Sequence, residues 1–164
     1  MEELLDKISS YNLFNYLLPG ILFAIIAKEF ISFPLIQENI IIGAFLYYFI
    51  GLVISRFGSL VIEPFLKRIS FLKFAPYSDF VLASKKDPKI ETLSEVNNMY
   101  RTFISTFALL LLLKILISIE SKFSILKEYD MYILIVMLLF MFLYSYRKQT
   151  KYITDRINAN NKEI

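Results

Sequence analysis

The chain has 164 residues, 57% of them hydrophobic, with a mean hydropathy of +0.56 and a formal charge of +3. It contains no Cys and no His, which excludes disulfides, thiolate nucleophiles, imidazole acid–base chemistry and the usual zinc sites. Its apolar residues are gathered in blocks rather than spread as in a soluble domain, and that gathering points to a bilayer.

Glu2, Glu3 and Asp6 stand against Lys7 alone at the start, the wrong sign for a secretory leader, so the first apolar block is expected to stay as a membrane helix. That span is predicted over about 12–33. Within it, Pro19 and Gly20 form either a static kink or a gating hinge. A second span is predicted over about 39–56, bounded by Arg56. Gly43, Tyr47, Gly51, Ser55 and Ser59 recur along it at every fourth position, a face suited to close helix packing, within the chain or between copies.

The segment 58–101 is the one sizeable region between spans. Ile62, Phe65, Leu66, Ile69 and Leu72 recur at helical spacing over Ser59–Lys73, predicting an interfacial amphipathic helix. Lys67, Arg68 and Lys73 would meet anionic lipid headgroups from its basic side. Phe74–Lys89, with Pro76 and Pro88, reads as irregular. Thr92 followed by Glu95 matches a capping box, predicting a helix start there that runs unbroken into the third span.

The third span is predicted over about 102–119 and the fourth over about 131–146. Lys114 is the one charge well inside a span. It either snorkels outward, within reach of Glu120, or lines an oligomeric pore for anions. The tail, 147–164, has no Gly or Pro, so the fourth helix is expected to continue to about Asn158.

Four crossings place the N-terminus, 58–101 and the tail on one side. That side holds fourteen Lys and Arg against three on the other, so the positive-inside rule puts both termini in the cytoplasm. Asn12, Asn15, Arg56, Glu63, Asn97, Asn98 and Arg101 then share one depth, the cytoplasmic interface. They form either a binding cluster or a solvated boundary layer. The expectation is an all-α, four-span transmembrane helical bundle with an interfacial amphipathic helix and a small cytosolic segment: 1–57, the N-terminus and first hairpin; 58–101; 102–146, the second hairpin; and 147–164.

Richness in Ile, Lys, Asn, Phe and Tyr matches a low-GC bacterial coding style, hence a bacterial inner-membrane location. No cofactor, metal site or nucleic-acid partner is expected. With spans, a short cytosolic segment and no enzyme motif, the chain resembles in layout the small multi-pass membrane subunits of bacterial defence or toxin-like operons. The resemblance implies a non-enzymatic subunit that senses membrane disturbance or permeabilises the membrane with a cytosolic protein partner. Self-association is expected because four short spans enclose little beyond their own side chains. A small channel or transporter, and a lipid-modifying enzyme, are the alternatives.

Overall fold

A computed structural model describes residues 10–31 and 33–161. The acidic start and Lys162 lie outside the described residues. Among the described residues five helices follow one another: α1 (Leu13–Ala27, led in by Ser10–Asn12), α2 (Ile40–Arg68), α3 (Tyr77–Lys86), α4 (Lys89–Glu120) and α5 (Ser124–Asn161). No strand occurs among the described residues. Three of the helices, α2, α4 and α5, are long and apolar enough to cross a membrane. α1 is apolar but shorter, about 22 Å at the helical rise.

Several boundaries differ from the sequence-based expectation. The first helix ends at Ala27, well before Phe33, in a turn where Phe30 N–H bonds the Ala27 carbonyl. Asn39 caps α2, its side chain accepting from the backbone of Ile41 and Ile42. There is no separate interfacial helix over Ser59–Lys73. α2 continues through that region and stops at Arg68, where Ser70 takes φ 61° and Phe71 N–H bonds the Leu66 carbonyl.

The stretch read as irregular holds α3, bracketed by Pro76 and Pro88. α4 starts at Lys89, where Asp87 accepts from the Lys89 amide. Thr92 and Glu95 therefore sit inside the helix rather than at its cap. The continuous run of α4 from the region before residue 102 into the apolar segment is as expected, and α5 stays helical to Asn161, past Asn158.

Two short π-helical stretches interrupt the regular pitch, Leu13–Leu17 in α1 and Gly58–Ile62 in α2. Each ends two residues before a proline, Pro19 or Pro64. A helical proline clashes with the carbonyl four residues back, and widening the turn to an i→i+5 pattern relieves the clash. Leu18 N–H accordingly bonds Leu13 O, and Glu63 N–H bonds Gly58 O.

α1 runs antiparallel along α2 at close range. A Cβ added at Gly20 would strike the Tyr47 carbonyl, and one at Gly51 would strike the Tyr16 carbonyl. The two glycines thus face backbone reciprocally across one crossing. α5 meets α2 through stacked Phe49 and Phe142, 6.4 Å apart, and α3 rests on the far end of α5 through Tyr77 and Tyr152, 5.5 Å apart.

The packing is inverted relative to a soluble bundle. Asn15, Thr102, Ser105 and Thr106 are at most 1% exposed, while Phe45, Leu111, Met137 and Phe140 each stand more than half exposed. In water such an arrangement wastes apolar burial and costs desolvation. In lipid the hydrophobic effect gives helices no reason to associate, and small and polar groups hold the contacts.

Candidate functional site: a buried polar cluster joining four helices

α1, α2 and α4 each contribute one buried polar side chain at a shared level: Asn15, Ser55 and Thr102. Thr102 Oγ1 donates to Asn15 Oδ1 at 2.8 Å, and Asn15 Nδ2 donates to Ser55 Oγ at 3.4 Å. The widened turn Leu13–Leu17 carries Asn15, which is 1% exposed. On the outer side of this triad, the Tyr11 hydroxyl accepts from Asn15 at 3.3 Å and from Asn98 at 3.5 Å. Burial pushes the Tyr11 phenol above its ordinary pKa, and neighbouring Tyr16 adds to the shift.

A charged layer adjoins the triad and brings in α5. The Glu63 carboxylate accepts from Lys67 Nζ at 2.8 Å and from Arg101 Nη1 at 2.6 Å, and Lys148 Nζ lies 3.9 Å away. The Glu63 side chain is 9% exposed. A carboxylate this deep is costly alone, and three cations compensate it. With all four groups ionised the layer carries a surplus of positive charge. Lys148 also donates to Ser59, at 2.6 Å to the carbonyl and 2.8 Å to the hydroxyl. Gly58, where a Cβ would strike Ser105, permits the tight approach of α2 to α4 that this layer needs.

Beside the charges lies a cleft of about 140 Å³. Glu63, Asn97 and Arg101 supply its polar lining, and Leu66, Phe71, Leu72, Phe74 and Ile104 its apolar lining. Arg101 Nε is buried with no acceptor in the protein.

Of the residues singled out from sequence, the structure gathers Asn15, Glu63, Asn98 and Arg101 into this cluster. Asn97 is exposed at the cleft, Arg56 is half-buried beside the charged layer, and Asn12 opens the turn before α1. Lys67, expected on headgroups, is bonded to Glu63 and lies over the Phe74 ring, 4.1 Å from its centre. Arg68 and Lys73 are exposed.

The packing face on α2 is used inside the chain: Gly51 lies against α1, and Ser55 belongs to the triad. Gly43 sits beside the Tyr47 ring, and the Tyr47 hydroxyl accepts from the Gln37 amide at 3.1 Å. Pro19 and Gly20 are both buried, and Gly20 is held against the Tyr47 carbonyl. Lys114 lies over the Phe30 ring, 5.0 Å from its centre, rather than beside Glu120.

Tyr11, Thr102 and Lys148 are the cluster members that sequence reasoning missed. Ser59, the last residue of the row at every fourth position, joins the cluster one turn beyond Ser55. Of the missed residues Thr102 carried a readable signal, since Thr102, Ser105 and Thr106 share one face where the third apolar segment begins. Ser55 and Thr102 face amide and hydroxyl groups rather than a base, so the arrangement supplies helix cross-links and an anion-attracting cleft more readily than a nucleophile.

No protein-family model, no curated protein and no solved structure matches the chain.

Proposed function

We propose that the protein is a non-enzymatic, four-span subunit of the bacterial inner membrane that senses membrane state and passes it to a cytosolic partner. The buried cluster of Asn15, Ser55, Glu63, Thr102, Arg101 and Lys148 carries this reading, because it ties four helices together at one end, the end that the positive residues assign to the cytoplasm. α1 is the fourth span, lying along α2 through the Gly20 and Gly51 contacts. A change in bilayer thickness or tension that spreads the helices must work against this knot. α3 and the far end of α5 adjoin it and offer the surface for a partner.

Sensing is favoured over permeabilisation by a single copy. Below Thr106 the described interior turns apolar, with Ala24, Ala27 and Leu110 buried, so a water path needs several copies. Self-association is the companion proposal, supported by α5: 6% of its apolar window is buried, against 22% in α2 and in α4. Antiphage defence is the biological setting that the layout resemblance favours.

Fluorescent-protein fusions to either terminus should shine, and alkaline phosphatase fused within 121–130 should be active. A dark C-terminal fusion that still inserts removes the four-span topology. Purified protein in dye-loaded vesicles should retain the dye, whereas release by the protein alone would replace sensing with permeabilisation. Native mass spectrometry across a concentration series should show more than one copy.

A further inference from the structure

The cleft beside Glu63 is lined by a few charged and polar groups and by a larger number of apolar side chains. Arg101 offers five guanidinium N–H groups, of which the Glu63 carboxylate takes Nη1 and the protein offers Nε nothing. Lys67 touches two of the lining residues, bonded to Glu63 and lying over the Phe74 ring. Lys67, Arg101 and Lys148 outnumber the single Glu63 carboxylate, so the local field favours an anion.

Apolar side chains complete the lining, and Phe71 among them is 73% exposed. From the cleft, Tyr100, Ile104, Phe107 and Leu111 continue down one face of α4, all of them exposed, toward the middle of the apolar segment. Head and tail positions thus lie on one continuous path from the cytoplasmic interface into the bilayer.

We infer that this cleft binds one acidic phospholipid, its phosphate held by Arg101 and Lys67 and one acyl chain laid along Ile104, Phe107 and Leu111. A net-anionic headgroup suits this site better than a zwitterionic one: both carry the phosphate that a planar guanidinium binds, but choline adds a cation to a field already positive. The site rests on the membrane placement proposed above. It differs from diffuse attraction of exposed Arg68 and Lys73 to a charged surface, since it has walls and holds one molecule.

The test is native mass spectrometry of the full chain released from mixed micelles of phosphatidylglycerol and phosphatidylcholine, with insertion read separately by carbonate extraction of membranes. Wild type should keep one phosphatidylglycerol per chain. Asn97→Glu places a negative charge in the lining from an exposed position, and Ile104→Trp fills the cleft from an exposed face. Each should weaken retention about tenfold, the order expected for one like charge or one blocked contact, without changing the unfolding temperature. Arg68→Gln with Lys73→Gln should leave the bound lipid in place.

Equal retention of phosphatidylcholine, or undiminished retention in both cleft variants, would overturn the site even with insertion intact. Displacement by inorganic phosphate would assign the charged groups to a soluble anion and remove the lipid. Loss of insertion in wild type would count against the membrane reading itself.

Discussion

Lys148 donates to the Ser59 carbonyl at 2.6 Å, and Pro64 is the reason that carbonyl has room for it. In an α-helix Ser59 O would accept from Glu63 N–H, but that group bonds Gly58 O in the widened turn. In the π pattern it would accept from residue 64, which is proline and has no N–H. The lysine of a distant helix therefore takes the place of a missing backbone donor. A local defect in α2 has become the anchor point for α5.

The first prediction tests that substitution of roles. Lys148→Met should lower stability in detergent by about 1.5–3 kcal/mol, the range for a hydrogen bond from a charged donor. Pro64→Ala restores a backbone N–H and should reduce the loss when combined with Lys148→Met. A thermodynamic cycle of the four proteins should show coupling, and strict additivity would mean that the lysine does not serve the orphaned carbonyl.

Charge balance gives the second. Glu63→Gln leaves Lys67, Arg101 and Lys148 facing one another without a counter-ion, and should cost about 3–5 kcal/mol. Arg101→Gln leaves the carboxylate with two cations and should cost less. Unfolding midpoints measured side by side check the ranking, and the reverse order would show that Arg101 holds α4 by something other than its pair with Glu63.

At the hydroxyl level, Thr102→Val keeps the shape but removes the donor to Asn15, and should cost about 1–3 kcal/mol by leaving a buried amide oxygen unpaired. Thr106→Val removes a hydroxyl that bonds the carbonyl four residues back in its own helix, at 3.0 Å, and should cost little. Similar losses at both positions would argue against a cross-helix triad.

The helix crossing is tested with single methyl groups. Gly20→Ala and Gly51→Ala each drive a Cβ into a backbone carbonyl of the neighbouring helix and should cost about 1–3 kcal/mol or more. Gly43→Ala meets a movable Tyr47 ring at 3.2 Å and should be mild. The comparison needs only melting curves of the three variants in one detergent.

At the far end of α5, Tyr152→Ala should loosen α3, which rests there through Tyr77. An aromatic pair contributes about 0.5–1.5 kcal/mol beyond its area. Limited trypsin digestion at Lys85, Lys86 and Lys89 should become several-fold faster at that energy. An unchanged cleavage rate would show that α3 is held elsewhere.

What the sequence determined by itself is what depends on sums over neighbours in the chain. The helical nature, the long apolar segments of α2, α4 and α5, and the meeting of Asn15, Asn98, Glu63 and Arg101 at one end all follow from hydropathy, charge and depth. Their shared level could be read because depth along a span is counted in residues. Which faces meet could not. Glu63 reads in the sequence as one polar residue of an interface layer, and only the fold buries it among Lys67, Arg101 and Lys148. Pairing of Glu63 with Arg101 and of Lys148 with Ser59 depends on the rotation and register of helices far apart in sequence. Those are set by where Gly20, Gly51 and Gly58 let backbones approach, and by the pitch changes before Pro19 and Pro64. A lipid-like packing also reverses the usual cue: with no hydrophobic penalty for exposed Phe and Leu, the interior belongs to the small and polar residues that sequence reading normally sends outward.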